Sequence, residues 1–281
     1  MTQQGVFTRI LVALDASPHS LTALDAAAEL AALFDVELFG IFVEDTNLMR
    51  LAEMPFASEV ASFSASIVPL DPDRMRLQLR AVAERARRAI AASAERARVR
   101  WSFRVARGPV TAAVMEAVGG RDLISVGRSG WSRRSKTALG STARAILCEA
   151  RASALLLQHE RRMGGPVCAV YDGSRAACRG LDAVARVARG RAVTVLAVAA
   201  DEEAGEHLAS EAQERLKTLE RPPRVRRVLA KDFKTLLGAI RAEAPGLVVL
   251  PAERGKDLRD LISEIEAPIL VVRDVESDVA P

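Results

Sequence analysis

Aromatic side chains are scarce in this sequence. Phe, Trp and Tyr make up 4% of the 281 residues, so any core must be built from Val, Leu, Ile and Ala. Cysteine is nearly as rare: Cys148, Cys168 and Cys178 are an odd set with no C-x-x-C spacing, which argues against a disulfide framework or a zinc site. His19, His159 and His207 share no metal-ligand spacing either, and each reads as a surface or cap residue. No apolar run approaches the roughly 20 residues that span a bilayer. The opening Met-Thr-Gln-Gln-Gly lacks the basic-then-apolar order of a signal peptide. The expectation is a cytoplasmic protein with no membrane partner.

A dominant sign of charge is missing too. Forty Lys and Arg against 36 Asp and Glu leave a mild net charge of +4. The densest basic run, residues 74–100, has a helical explanation: Leu79, Val82, Ala86, Ala89, Ile90 and Ser93 fall on one face, with Arg80, Arg87, Arg88 and Arg98 mostly elsewhere. No aromatic residues interleave with those arginines for base stacking, so a solvated arginine face is expected and no nucleic-acid partner. What the chain does have is apolar content: 49% of residues are hydrophobic and 27% charged, the balance of a core-forming protein. Its length is comfortable for two α/β domains.

Taken in order, the pattern alternates strand and helix. Residues 9–14 form a short apolar strand ending at Asp15, and Ser17-Pro18 is a strong helix start, with Ser as N-cap and Pro at the first helical position. A helix to about residue 34 and a strand over 36–43 complete a unit that favours a parallel sheet. Residues 44–73, with Pro55, Pro69 and Pro72, read as a long loop or lid. There follow a helix over 73–97, a strand over 99–106, a helix over 110–118, a strand over 123–126, a helix over 141–149 and a strand over 154–158.

After a basic linker at 161–166 the plan begins again. Strands are expected at 167–171, 192–199, 225–229, 247–250 and 269–272, and Asp172-Gly173-Ser174 ends the first of them as Asp15-Ala16-Ser17 ends its counterpart. Helices carry Leu208, Ala212, Leu216 and Leu219 inward, then Phe233, Leu236, Leu237 and Ile240, then Leu258, Leu261, Ile262 and Ile265. This is an internal repeat, read as two doubly wound domains, 1–160 and 161–281.

Residues 122–147 organise this reading. A strand breaks into a polar loop with Gly127, Gly130 and Gly140, and a helix resumes at Ser141. Glycines let a backbone approach a ligand closely, and the free N–H groups of a helix start, with Ser141 or Thr142 as cap, attract an anion such as phosphate. Arg128, Arg133, Arg134 and Lys136 add positive potential. A solvated strand-to-helix connection has the same composition, and composition does not separate the two. The loop is not a Walker A motif, since no Gly-x4-Gly-Lys-Ser/Thr occurs. In the second half Pro251 stands where Gly127 stands in the first, nine residues are missing, and only Glu253 to Asp257 remain of the loop.

The spacing of Gly127, Gly130 and Gly140-Ser141, the Asp closing the first strand, and the repeat together resemble a tandem member of the universal stress protein family, in its ATP-binding branch. The resemblance implies an α/β fold of two tandem, doubly wound, parallel five-stranded sheets, Rossmann-like, with strand order 3-2-1-4-5 and a pseudo-twofold axis between them. It implies ATP, with or without magnesium, as the ligand of the first domain. Asp15 and the backbone near Ala13 would meet the nucleoside, Val43 would line the adenine slot, and Gly127, Arg128, Gly130, Gly140, Ser141 and Thr142 would surround ribose and phosphates. Asp15 also reads simply as a turn residue capping the next helix. Where some relatives have a further serine, this chain has Ala143. The resemblance further implies that the last strands of the two domains meet edge to edge, an intramolecular pseudo-dimer, with a homodimer of the whole chain left open.

No catalytic residue and no metal-ligand set emerges. Three functions stand side by side: an ATP-binding regulator of a stress response, a slow ATPase, and a scaffold that needs no nucleotide. The regulatory protein partner is not legible.

Overall fold

The computed structural model describes residues 5–15, 17–60, 67–127, 140–157, 163–229, 233–252 and 258–274. The first half runs β1 (Arg9–Ala13), α1 (Pro18–Phe34), β2 (Glu37–Asp45), α2 (Thr46–Ala52), β3 (Ser58–Val60), β4 (Ile67–Pro69), α3 (Pro72–Ala97), β5 (Trp101–Gly108), α4 (Val110–Ala117), β6 (Leu123–Gly127), α5 (Ser141–Glu149) and β7 (Ser153–Leu157). The second runs β8 (Val167–Tyr171), α6 (Arg175–Val187), β9 (Val193–Val198), α7 (Glu202–Arg215), β10 (Arg224–Val228), α8 (Phe233–Ala242), β11 (Leu247–Ala252), α9 (Arg259–Glu264) and β12 (Ile269–Arg273).

All the described strands except β3 and β4 merge into one ten-stranded sheet in the order β10-β9-β8-β11-β12-β7-β6-β1-β2-β5. Within each half every pairing of this sheet is parallel, and the strands of the sheet follow the order third, second, first, fourth, fifth. The halves join at one antiparallel step, where Leu156 faces Ile269, Leu155 faces Leu270 and Ala154 faces Val271. Pairing the last strand of one half with the last strand of the other, head to tail, is the geometry of a pseudo-twofold axis through the seam.

The inner strands are apolar on both faces, as helix-covered sheets require, while the edge strands β5 and β10 carry exposed arginines. Ile10 and Val12 enter one apolar layer, with α1, α3, α6 and α7, while Leu11 enters the other, with α4, α5, α8 and α9. Both layers cross the seam: Leu155 and Leu270 belong to the first, Leu156 and Val271 to the second. Among the described residues no helix is long and apolar enough to cross a membrane.

Residues 44–73 are not the single loop expected. Asp45 N-caps α2 through a 2.9 Å bond from the Asn47 N–H, and β3 pairs antiparallel with β4. The prolines that suggested a loop punctuate these elements: Pro55 follows α2, Pro69 ends β4 and Pro72 opens α3. Residues 61–66 lie outside the described set. The structure also adds α6, the counterpart of α1, which the sequence reading did not name. It is N-capped by Ser174 and buries Ala177, Leu181 and Val184.

The strands β1 and β6 are pinned to each other at their amino ends. Asp122, 3% exposed, accepts from Thr8 Oγ1 at 2.9 Å, Arg9 Nε at 2.9 Å and the Gly119 N–H at 2.8 Å. Arg9 also donates to the Ala117 carbonyl at 2.7 Å and lies 4.7 Å over the Phe39 ring. Replacing Asp122→Ala leaves these donors without their acceptor. The expected loss is about 2–3 kcal/mol, the scale of hydrogen bonds to a charged group, read as a fall in the urea unfolding midpoint.

Candidate functional site

In an open doubly wound sheet the crevice lies beyond the carboxyl ends of the strands where the order reverses. In the first half that point falls between β1 and β6, which pair side by side while their following helices pack on opposite faces. Buried Ser125 of β6 donates to the Ala23 carbonyl of α1 at 3.0 Å, fixing that helix against the strand. A cleft of about 180 Å³ opens here.

Ala13 ends β1 on its floor, Val43 and Ile41 approach from β2, Gly127 ends β6, and Thr142 with Ala143 closes it from the first turn of α5. Val110 and Val126 complete an apolar wall. Gly140 is the N-cap of α5 and makes no side-chain cap bond, and Ser141 is the first helical residue. This corrects the expectation that Ser141 or Thr142 would cap the helix. A glycine cap offers the helix-start N–H groups no side-chain acceptor, which suits an incoming anion. Arg128 and Gly130, with Arg133, Arg134 and Lys136, lie outside the described residues.

The turn after β1 sets the polar side of the cleft. The Asp15 carboxylate accepts from the Ser17 N–H at 2.9 Å, and the Asp15 N–H donates to Ser20 Oγ at 3.4 Å. Ser17 Oγ in turn accepts from the Ser20 N–H at 3.2 Å, which is the N-cap bond of α1. Asp15 is therefore both the turn residue and a cleft residue. It is open to solvent at the cleft mouth, with its carboxyl partly enclosed by the turn. That enclosure pushes its pKa up, but hydrogen bonding with Ser17 and Ser20 outweighs it and holds the carboxyl below its ordinary value. Asp15 thus presents a fixed negative charge that accepts hydroxyl hydrogens, while the start of α5 offers donors to an anion. The two polar ends face one apolar slot.

The sequence reading missed Ser20, Ile41 and Val126. Ser20 had a usable signal, since it stands three residues after the N-cap and so returns to the turn. Ile41 and Val126 look like ordinary strand residues, and only the strand order brings them to one cleft.

The second half repeats the turn. Asp172 accepts from the Ser174 N–H at 3.0 Å, and Ser174 Oγ accepts from the Ala177 N–H at 3.1 Å. Ala177 takes the place of Ser20, so the hydroxyl beside the aspartate is absent. Leu123 faces Ser153, 30 residues on, whereas Val248 faces Ile269, 21 residues on, so the connection that holds the glycine loop in the first half is nine residues shorter here.

A larger cavity, about 860 Å³, lies between α1, the end of α3 and residues 163–165. It is set along helix sides, not at strand ends, and its Asp25 is already engaged by Ser93 Oγ at 2.8 Å and Arg96 at 2.9 Å. The smaller cleft, where the start of a glycine-capped helix and an accessible carboxylate converge, is the better chemical site.

Comparison with known proteins bears on the same segment. The model of the universal stress protein family matches residues 7–158, just over half of the chain. A universal stress protein of Archaeoglobus fulgidus DSM 4304 is similar over 94% of this chain and 98% of its own, at 16% identity and a TM-score of 0.69. A functionally unknown protein of Pseudomonas aeruginosa PAO1 is similar over 95% and 92%, at 14% identity and a TM-score of 0.57. Such identities establish a shared fold. No curated protein matches the chain.

The turn geometry carries a pH signature. Ser20→Ala removes a hydroxyl that helps hold the Asp15 carboxyl down, so its pKa should rise, as followed by NMR titration of the carboxyl carbon. Because the folded value is depressed, the stability Asp15 supplies is complete above the ordinary aspartate value near ~3.9 and is lost as pH falls through the lower folded value. Asp15→Asn should flatten that part of the acid limb. An Asp15 titration unmoved by Ser20→Ala contradicts the assignment.

Proposed function

The chain belongs to the universal stress protein family, and from that premise we propose that it binds one adenine nucleotide, ATP with or without magnesium, in the cleft of its first half. It serves in the cytoplasm as a nucleotide-dependent regulator of a stress response. The observation that carries this reading is the convergence of Asp15, Val43, Gly127 and the start of α5 on one cleft at the switch point.

Each cleft group has a role that its chemistry fits. Asp15 accepts from ribose hydroxyls, and the backbone at Ala13 borders the nucleoside. Val43, with Val110 and Val126, forms the apolar slot for the base. Gly127 lets the phosphate chain pass close to the backbone, and Gly140, Ser141 and Thr142 offer helix-start N–H groups to the phosphates. Arg128 and Gly130 extend the same loop. Among the described residues no group of three or more His, Cys, Asp or Glu gathers to hold a metal. An accompanying magnesium ion would therefore be held chiefly by the phosphates, with Asp15 the carboxylate at the cleft. The second half, with Pro251, Ala177 and the shorter connection, keeps the turn and gives up the phosphate cradle, so one nucleotide per chain is expected.

Acid extraction of purified protein, followed by chromatography, should release adenine nucleotide at close to one per chain. The double variant Gly127→Asp, Ser141→Ala should release none, since it sets a carboxylate beside the phosphates and removes a hydroxyl at the helix start. Added ATP at about 100 times its Kd should stabilise the wild type by about 2.7 kcal/mol, seen as a rise in Tm. Two nucleotides per chain would contradict the assignment of the second half. No nucleotide and no thermal shift would leave the scaffold, and phosphate release above a Gly140→Asp control would show an ATPase.

A further inference from the structure

We infer that the second half holds the nucleotide helix α5 in place, with Arg273 as a positioning residue for phosphate binding in the first half. This rests on the nucleotide reading above. The start of α5 lines the cleft; its other end depends on the partner half. The last carbonyls of a helix have no intrahelical donor. Here the Arg273 guanidinium, at the end of β12, donates to the Leu147 carbonyl in the final turn of α5. Arg273 is 8% exposed, so it lies under the helix and not on the surface.

Its placement is fixed by the seam. Antiparallel pairing of β12 with β7 carries Arg273 past the last paired residues, where its N–H donates to Ser153 Oγ at 3.1 Å. The next residue, Asp274, lies 3.8 Å from Arg175 at the start of α6. The strand end is thus tied to both halves, and its cation sits where a helix favours positive charge, at the carboxyl end. The nine residues of α5 span about 14 Å, so a bond that fixes one end of the rigid helix also fixes where the N–H groups at its other end lie. This gives the second half a task that needs no nucleotide of its own.

The two ends of the ligand separate this role from a general structural one. Phosphates meet α5, while the nucleoside meets Asp15 and Val43 on other elements. Titration calorimetry on the full chain with ATP and with adenosine makes the test. Arg273→Met should weaken ATP about three- to tenfold, the scale by which a residue outside a site modulates it, and leave adenosine within about twofold. Arg273→Lys, which keeps the charge, should recover most of the ATP affinity. Urea midpoints without ligand check the fold of each variant. If Arg273→Met does not fold, the neutral Arg273→Gln against Arg273→Lys makes the same comparison.

Unchanged ATP affinity overturns the inference, and so does an equal loss for ATP and adenosine, which would mark mere loosening. A wild type that binds neither ligand overturns the nucleotide reading itself, and this inference with it.

Discussion

The antiparallel pairing of β7 with β12 is the constraint on which the rest of the molecule depends. A five-stranded parallel sheet of this order ends in an apolar fifth strand whose outer edge has unpaired N–H and C=O groups. Joining two such edges satisfies both and turns two sheets into one of ten strands. It also lets the apolar layers on both faces run through the join, so that Leu155, Leu270, Leu156 and Val271 pack as interior residues of a continuous core. The edges left free are β5 and β10. On β10, Arg224, Arg226 and Arg227 pair with Glu243, Glu202 and Glu206, and edge charges of this kind discourage pairing with another chain.

Duplication has kept what local sequence secures and altered what the ligand would need. The turns at Asp15 and Asp172 have the same hydrogen bonds because an Asp two residues before a Ser N-cap forms them from local geometry. The connection after the fourth strand is different. With nine residues fewer there, Leu261 and Ile262 of α9 and Ile265 just after it are still buried. The two halves thus share the turn and the seam and differ in the length of that connection.

The legible parts of the fold were those with local signals. Ser17-Pro18 announced α1, most strands are short apolar runs, and the resemblance to the family implied how they are ordered. Ala13, Asp15, Val43, Gly127 and Thr142 came from a resemblance carried by glycine spacing, and the strand order gathers them at one cleft. Less legible was α2, a short helix whose cap is a lone Asp45 and which is followed closely by Pro55. So was α6, where Arg and Ala alternate with few large apolar residues, yet its small side chains are what allow the helix to lie close to the sheet. Arg273 had no local signal at all. One more arginine in an arginine-rich chain gains meaning only when the seam brings it beneath a helix 126 residues away in sequence.

The same seam ties folding to synthesis. β7 is complete at Leu157, but its partner does not begin until Ile269. A ribosome needs about 6–20 s to make the residues between them at the usual elongation rate. Throughout that interval the first half has an open, apolar strand edge, and the nearest matching edge belongs to another nascent chain on the same message. Swapped pairing between neighbouring chains is the misassembly this architecture invites, and the short basic linker at 161–166 favours the correct partner by keeping it tethered close by.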